Sequence, residues 1–252
     1  MKQLLLAKSW DPKIDPTGWW MSEKLDGIRA YWDGCNMWSR TGKLLYVPQE
    51  LLNLLPKDEL DGELYAGRGQ FQKCVSIVRT QDYSKDWSCV EYRVFDLINT
   101  DKFEERQARL LQTHTNNKFW RVQKQIECLG GEHLLQDLKR IESLGGEGCM
   151  LRKPGSYYEH KRSGTLLKVK TFKDAEAEVL EHLPGLGKHK GRLGAVLCKT
   201  ANGITFKVGS GFTDAERENP PEVGTKLTYA YQELTNDGVP RFPTFVRRYE
   251  EC

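Results

Sequence analysis

The stretch S-E-K-L-D-G-I-R-A, Ser22 to Ala30, sets Lys24, Asp26, Gly27 and Arg29 within six residues, flanked by Trp19, Trp20, Tyr31 and Trp32. A solvated turn would account for the charges, but it has no need of so many aromatic neighbours. The alternative is a lysine held in a lined pocket, where its amine can serve as a nucleophile. A free lysine has a pKa of about 10.4, so fewer than about one amine in a thousand is neutral at pH 7. Nearby cations and partial burial favour the neutral form. Arg29, Lys168 and Lys170 are the candidate cations if their strands converge on Lys24. A nucleotide α-phosphate is as good an electrophile for such an amine as a carbonyl, once its charge is neutralised.

The rest of the chain narrows the setting. At 252 residues it is long enough for one large domain or two small ones. It contains no apolar run of membrane-spanning length, so no membrane partner is expected. The start, M-K-Q-L-L-L-A-K-S-W, has too short an apolar core for a signal peptide. A cytoplasmic protein is expected, or a periplasmic one if a leader has been removed. Seven scattered cysteines without a Cys-x-x-Cys fit a reducing compartment and argue against a zinc knuckle. The five histidines show no ligand spacing. There is no Walker loop, no dinucleotide fingerprint, no G-x-S-x-G and no kinase signature set.

Net charge is +3, mild for a nucleic-acid binder, and it is unevenly spread. Residues 173–252 hold 11 Lys and Arg against 12 Asp and Glu, leaving 27 against 23 in the earlier part. Nucleic acid would therefore meet local stripes of charge.

Outward from Ser22–Ala30, residues 17–47 read as short strands and turns, with Asp33-Gly34 and Thr41-Gly42 as turn signals. L-D-G-E-L-Y, 60–65, is a predicted strand with Asp61 and Glu63 on one face. E-Y-R-V-F-D-L, 91–97, is a second. Helices are predicted over Phe103–Gln112 and Glu132–Leu144. In the latter Leu134, Leu135, Leu138, Ile141 and Leu144 form an apolar stripe ended by Gly145-Gly146. Strands follow at 147–153 and 165–172.

After Phe172 the texture changes to a Gly/Lys-rich loop, 185–194, and a hairpin through Asn202-Gly203. The strand T-K-L-T-Y-A-Y then leads to a turn at Asn236-Asp237-Gly238. Several short strands in about 80 residues suggest a small β-barrel of oligonucleotide-binding size. The expected fold is thus α+β: a mixed α/β domain over 1–172, then an all-β barrel over 173–252.

Taken singly, the remaining candidates stay ambiguous. Lys168 and Lys170 share a strand face that fits a polyanion or plain solvent. Glu147 can be a hard oxygen ligand for magnesium or an ordinary residue at the start of a strand. Glu63 lies beside Gly62, which leaves room for a ligand. Phe95 is simplest as core, or else an aromatic plate for a purine.

Their order along the chain is more specific. Lys24-x-Asp26-Gly27-x-Arg29, Ser39-Arg40-x-Gly42-Lys43, Asp61-Gly62-Glu63, Val94-Phe95-Asp96, Glu147-Gly148-x-x-x-Arg152 and Leu167-Lys168-x-Lys170 together resemble the motif series of covalent nucleotidyltransferases. That superfamily contains DNA ligases, RNA ligases and capping enzymes. F-K-V-G-S-G-F, Pro220-Pro221 and P-R-F-P-T-F are similar to the barrel of minimal ATP-dependent DNA ligases. The resemblance runs from about Leu5 to Arg248.

This resemblance implies a ligase that seals nicks in duplex DNA, using ATP and Mg2+ and acting as a monomer. Lys24 would carry AMP, and Glu23, Arg29, Glu63, Phe95, Lys168 and Lys170 would line the nucleotide pocket. Arg40 would hold the nick phosphate, and Glu147 with Glu63 would serve the metal. Lys188, Lys190 and Arg192 are candidates for DNA backbone contacts, or a solvated loop. The sequence has no Cys-rich zinc module or helix–hairpin–helix region after the barrel, so ATP is a better cofactor than NAD. The C-terminal Arg-x-Asp-Lys of larger ligases is absent, which leaves open whether Arg247 or Arg248 orients pyrophosphate. An RNA ligase, a GTP-using capping enzyme and a non-catalytic oligonucleotide-binding protein are the alternatives.

Overall fold

A computed structural model describes residues 3–80, 85–113, 117–235 and 237–249. Its strands, in chain order, are β1 (Leu6–Ser9), β2 (Trp20–Glu23), β3 (Ile28–Trp32), β4 (Met37–Ser39), β5 (Leu60–Tyr65), β6 (Glu91–Leu97), β7 (Trp120–Val122) and β8 (Ile126–Glu127). They continue as β9 (Cys149–Arg152), β10 (Arg162–Val169), β11 (Lys173–Pro184), β12 (Leu193–Lys199), β13 (Thr205–Val208), β14 (Lys226–Tyr231) and β15 (Thr244–Arg248). The helices are α1 (Gln49–Leu52), α2 (Phe71–Val78), α3 (Phe103–Thr113), α4 (Gly131–Ser143) and α5 (Asp214–Glu218). The chain divides into two compact units, Met1–Lys170 and Thr171–Cys252.

The first unit is built on two five-stranded sheets, ordered β1-β10-β9-β2-β8 and β4-β3-β5-β6-β7. Each covers one face with helices. The second sheet packs Leu60, Leu64, Tyr92 and Val94 with Leu51 of α1 and Cys74, Ile77 and Val78 of α2. The first packs Met21, Leu151 and Val169 against Leu134, Leu138 and Ile141 of α4. These three helix residues recur at i, i+4 and i+7, which is the stripe that reaches the sheet. Leu135 and Leu144, expected in that stripe, are 52% and 54% exposed, because they fall outside the narrower arc.

Beneath the second sheet lies a buried ionic cluster. Asp96 of β6 accepts from Arg106 Nε of α3 at 2.7 Å and from Arg152 Nη2 of β9 at 2.8 Å, and all three side chains are at most 5% exposed. It ties a strand of one sheet to a strand of the other.

The second unit is a single sheet ordered β13-β12-β11-β14-β15. β11 pairs with β14 over its first half and with β12 over its second, with register shifts at Val179/Glu181 and Leu183/Pro184 that curl the sheet. The core stacks Phe212 on Phe245, ring centroids 4.3 Å apart, over Val179, Val196, Val208 and Leu227. Closure into a barrel, expected from the strand count, is incomplete. Among the described residues the edges meet at the parallel bridge Ser210↔Thr244, where Phe245 N donates to Ser210 O at 2.9 Å and Ser210 Oγ to Pro243 O at 3.1 Å. β13 is only four residues long, and Pro243 has no N–H to extend a ladder. The short helix α5 is capped by Thr213 and Glu216, a box unnoticed in the sequence. Of the turn expected at 236–238, Asn236 lies outside the described residues.

Removing the shared carboxylate of the buried cluster would leave two guanidinium groups uncompensated. Asp96→Ala is expected to destabilise the first unit by about 3–5 kcal/mol in urea unfolding. A loss below about 1 kcal/mol would show that the cluster does not hold the two sheets together.

Candidate active site

Lys24 lies in the loop that crosses from β2, in one sheet, to β3, in the other. Two glycines let that crossing close up. A Cβ on Gly27 would stand 2.2 Å from the Leu64 carbonyl oxygen of β5. Gly148 has φ +147°, and its Cβ would stand 2.3 Å from the Val169 carbonyl oxygen of β10. Gly148 in turn offers its carbonyl to Lys24 N at 2.7 Å, which fixes the lysine backbone against the strand that follows Glu147.

Glu147 was expected to open β9, but it sits in the loop between α4 and β9. There its carboxylate is shared. Lys24 Nζ donates to Oε2 at 2.5 Å, and Lys170 Nζ donates to Oε1. Glu147 and Lys170 are nearly buried, at 8% and 7% exposed, whereas Lys24 keeps 25% of its side chain open. Lys170 falls just past the end of β10, which begins earlier and ends earlier than the expected 165–172.

Lys168, on the same strand, completes a group of three ammonium ions. Burial lowers its pKa, and the charges of Lys24, Arg162 and Arg40 lower it further while Glu147 opposes them. Lys170 is lowered in the same way, by burial first and then by Lys24. Arg40 lies exposed in the turn after β4. Arg162, at the start of β10, bonds the Ala7 carbonyl and was missed by the sequence reading.

The opposite wall comes from the second sheet. Arg29 pairs with Glu63 across β3 and β5. Its guanidinium is held by Asp61 through Nε–Oδ1 and Nη2–Oδ2, both 2.6 Å. Burial alone would pull the Arg29 pKa down, but the Asp61 carboxylate more than reverses this. The half-buried Glu63 carboxyl is pushed up to about 7 by burial, against the pull of Lys24 and Arg29, with Glu147 and Asp61 adding to the rise.

Phe95 faces this site and is not a core residue. Asp61 pairs with Asp96 and Gly62 with Val94, so Phe95 is the extra residue of a β-bulge. The bulge re-aims its ring toward Arg29, whose Cζ lies 4.7 Å from the ring centroid. Glu23 is near the site, but its carboxylate is held by Arg68 at 2.7 and 2.8 Å, a partner the sequence did not suggest.

The remaining candidates belong to the second unit. Lys188 and Lys190 are exposed at a 3-10 turn, Gly187–His189, and Arg192 is paired with Asp214 at 3.0 Å. Arg248 donates to the Asn219 carbonyl at 2.5 Å. Phe242, at φ 52° and 61% exposed, is the one non-glycine among the described residues with a left-handed backbone.

Among the described residues no group of three or more His, Cys, Asp or Glu is arranged to hold a metal. Glu63 and Glu147 supply two hard oxygen donors, a number suited to magnesium, which keeps much of its own hydration. No helix among the described residues is long and apolar enough to cross a membrane.

The chain is similar to known proteins along most of its length. Residues 6–170 match the ATP dependent DNA ligase domain, and residues 184–248 match the DNA ligase OB-like domain. A DNA ligase of Haemophilus influenzae is 39% identical over 236 residues, which cover 91% of this chain and 86% of the relative. A solved structure from a structure–function study of Lig E DNA ligases superposes with TM-score 0.91 at 38% identity, covering 99% of this chain and all of that one. The Chlorella virus DNA ligase-adenylate superposes with TM-score 0.59 at 27% identity, covering 100% and 99%. The match to the ligase domain spans most of the sequence on which the lysine cluster is built, and the chain belongs to the ATP-dependent DNA ligase family.

Proposed function

We propose that this ATP-dependent DNA ligase uses Lys24 as its nucleophile and acts as a monomer on nicked duplex DNA. The observation that carries the reading is the convergence of Lys24 and Lys170 on the two oxygens of Glu147, with Lys168 alongside. Three cations around one buried carboxylate form a site that is already charge-matched to an anion of the size of a phosphate. Lys24 loses its ammonium proton and the amine attacks the α-phosphorus of ATP; a P–N bond forms, the bond to the leaving pyrophosphate breaks, and the nitrogen sheds a second proton to solvent. The AMP then passes to the 5′-phosphate of the nick as that P–N bond breaks. Finally the 3′-hydroxyl attacks the activated phosphate and AMP leaves.

Each neighbour has a role in this scheme. Lys168 and Lys170 neutralise the α-phosphate. Phe95 stacks on adenine, and Arg29 and Glu63 hold the ribose, with Glu23 shaping the pocket from its pairing with Arg68. Arg40 and Arg162, whose charges already act on Lys168, receive the nick phosphate. Glu147 and Glu63 are the residues that would hold magnesium, which when bound supplies positive charge to the phosphates. Lys188, Lys190, Arg192 and Phe242 form the DNA-facing part of the second unit.

The purified protein is expected to seal a nicked DNA duplex with ATP and Mg2+, and Lys24→Ala to lose sealing while keeping the wild-type fold by circular dichroism. Sealing retained in Lys24→Ala would refute the nucleophile assignment. Chelation with EDTA is expected to abolish sealing and added Mg2+ to restore it; activity that survives chelation would remove the metal from the scheme.

Lys170→Ala is expected to block enzyme adenylation but to leave duplex affinity near wild type. The pair Lys188→Ala/Lys190→Ala is expected to do the reverse. It should reduce the slope of log affinity against log salt by about two, since each lost phosphate contact removes roughly one unit. An unchanged slope would exclude this loop from the DNA surface.

A further inference from the structure

Arg29 reaches the site through a closed ring of buried and part-buried hydrogen bonds that includes a residue outside every motif. Asp61, fully buried, spends both oxygens on Arg29 and accepts a third bond at Oδ2 from the Tyr158 hydroxyl, at 2.6 Å. Tyr158 lies in the irregular segment between β9 and β10 and is 8% exposed. Its oxygen accepts from Leu5 N at 3.2 Å, and the Leu5 carbonyl accepts from Arg29 Nη2 at 3.0 Å. The ring therefore runs from Leu5 N–H to Tyr158, Asp61, Arg29 and back to Leu5 O.

We propose that Tyr158 is a positioning residue for the nucleotide, acting through Asp61 on the orientation of Arg29. This rests on the assignment of Arg29 to the nucleotide pocket. A guanidinium has five N–H donors in a fixed plane. Asp61 and Leu5 engage Nε and Nη2, and among the described residues Nη1 makes no hydrogen bond. Phe95 lies against the same plane. With two edges pinned and one face covered, Nη1 is the donor left for a ligand, and its direction is set by the carboxylate plane of Asp61.

Without the tyrosine, the Asp61–Arg29 pair is anchored among the described residues only where Nη2 donates to the Leu5 carbonyl, and can pivot about that point. The Tyr158 hydroxyl removes that freedom by anchoring Oδ2 to a second point. Burial and the neighbouring Asp61 raise the Tyr158 pKa, so its proton stays in place as a donor across the working pH range. The main chain of Leu5 makes the segment ahead of β1 part of the same frame.

The test is a double-mutant cycle on kcat/KM for formation of the enzyme–AMP adduct, using Tyr158→Phe, Arg29→Ala and the pair. Tyr158→Phe keeps the ring volume and is expected to reduce kcat/KM about tenfold, the size of one buried bond to a charged group. In the Arg29→Ala background the same change is expected to cost less than about twofold, because the group it acts through is gone. Tyr92, a second buried tyrosine in the sheet of Arg29 and Asp61, bonds the Ala30 and Leu60 carbonyls. It is nevertheless a poor reference on its own, because Asp61 and Arg29 both act on its hydroxyl. Tyr229→Phe, buried in the core of the second unit with Tyr231 and Cys198 as the groups acting on it, is the control whose cost should be equal in both backgrounds.

A tenfold loss for Tyr158→Phe in both backgrounds would assign Tyr158 a merely structural role and overturn the proposal. No loss in either would do the same. Arg29→Ala with unchanged kcat/KM would remove Arg29 from the pocket and the proposal with it, while adduct formation on Lys24 would be untouched.

Discussion

The Glu147 carboxylate stands between the ammonium groups of Lys24 and Lys170, and the layout of the first unit follows from bringing those three groups together. Burying a carboxylate without cations is costly, and burying two ammonium ions without an anion costs more. The pairing therefore links three separate places in the chain: the β2–β3 loop, the α4–β9 loop and the end of β10. β9 lies between β2 and β10, with Met150 paired to both Ser22 and Lys168, so the three segments are neighbours by hydrogen-bond register. A shift of one residue in either ladder would turn a lysine away from the carboxylate.

The second sheet contributes a different kind of constraint. Arg29, Asp61, Glu63 and Phe95 come from β3, β5 and β6. Arg29 is tied to Asp61, Phe95 is aimed by a bulge, and Glu63 is left with a carboxyl that burial makes easy to protonate. One wall of the site is thus cationic and the other is aromatic and acidic. A nucleotide has the matching polarity, with phosphates at one end and a flat base with a ribose at the other.

Much of this was legible in the residues and their order. The strand at 60–65, the helices near 103 and 132, and the hairpin through Asn202-Gly203 follow local pattern, and the structure forms them within a residue or two. Phe95 was less legible, because a bulge depends on its partner strand, and Val-Phe-Asp reads equally well as core. Arg162 and Tyr158 were overlooked because their importance comes from long-range partners, Lys168 and Asp61, and not from any spacing. The barrel was over-read. Strand count sets the sheet, but closure requires an edge strand long enough to pair, and β13 is too short.

The central claim is that one lysine, Lys24, carries the nucleotide while Lys168 and Lys170 only neutralise it. The most direct measurement is peptide mapping by mass spectrometry of the protein after incubation with ATP and Mg2+ in the absence of DNA. The account requires an AMP adduct on the peptide containing Lys24 and on no other lysine. An adduct on Lys168 or Lys170, or none on any lysine while nicks are still sealed, would contradict it.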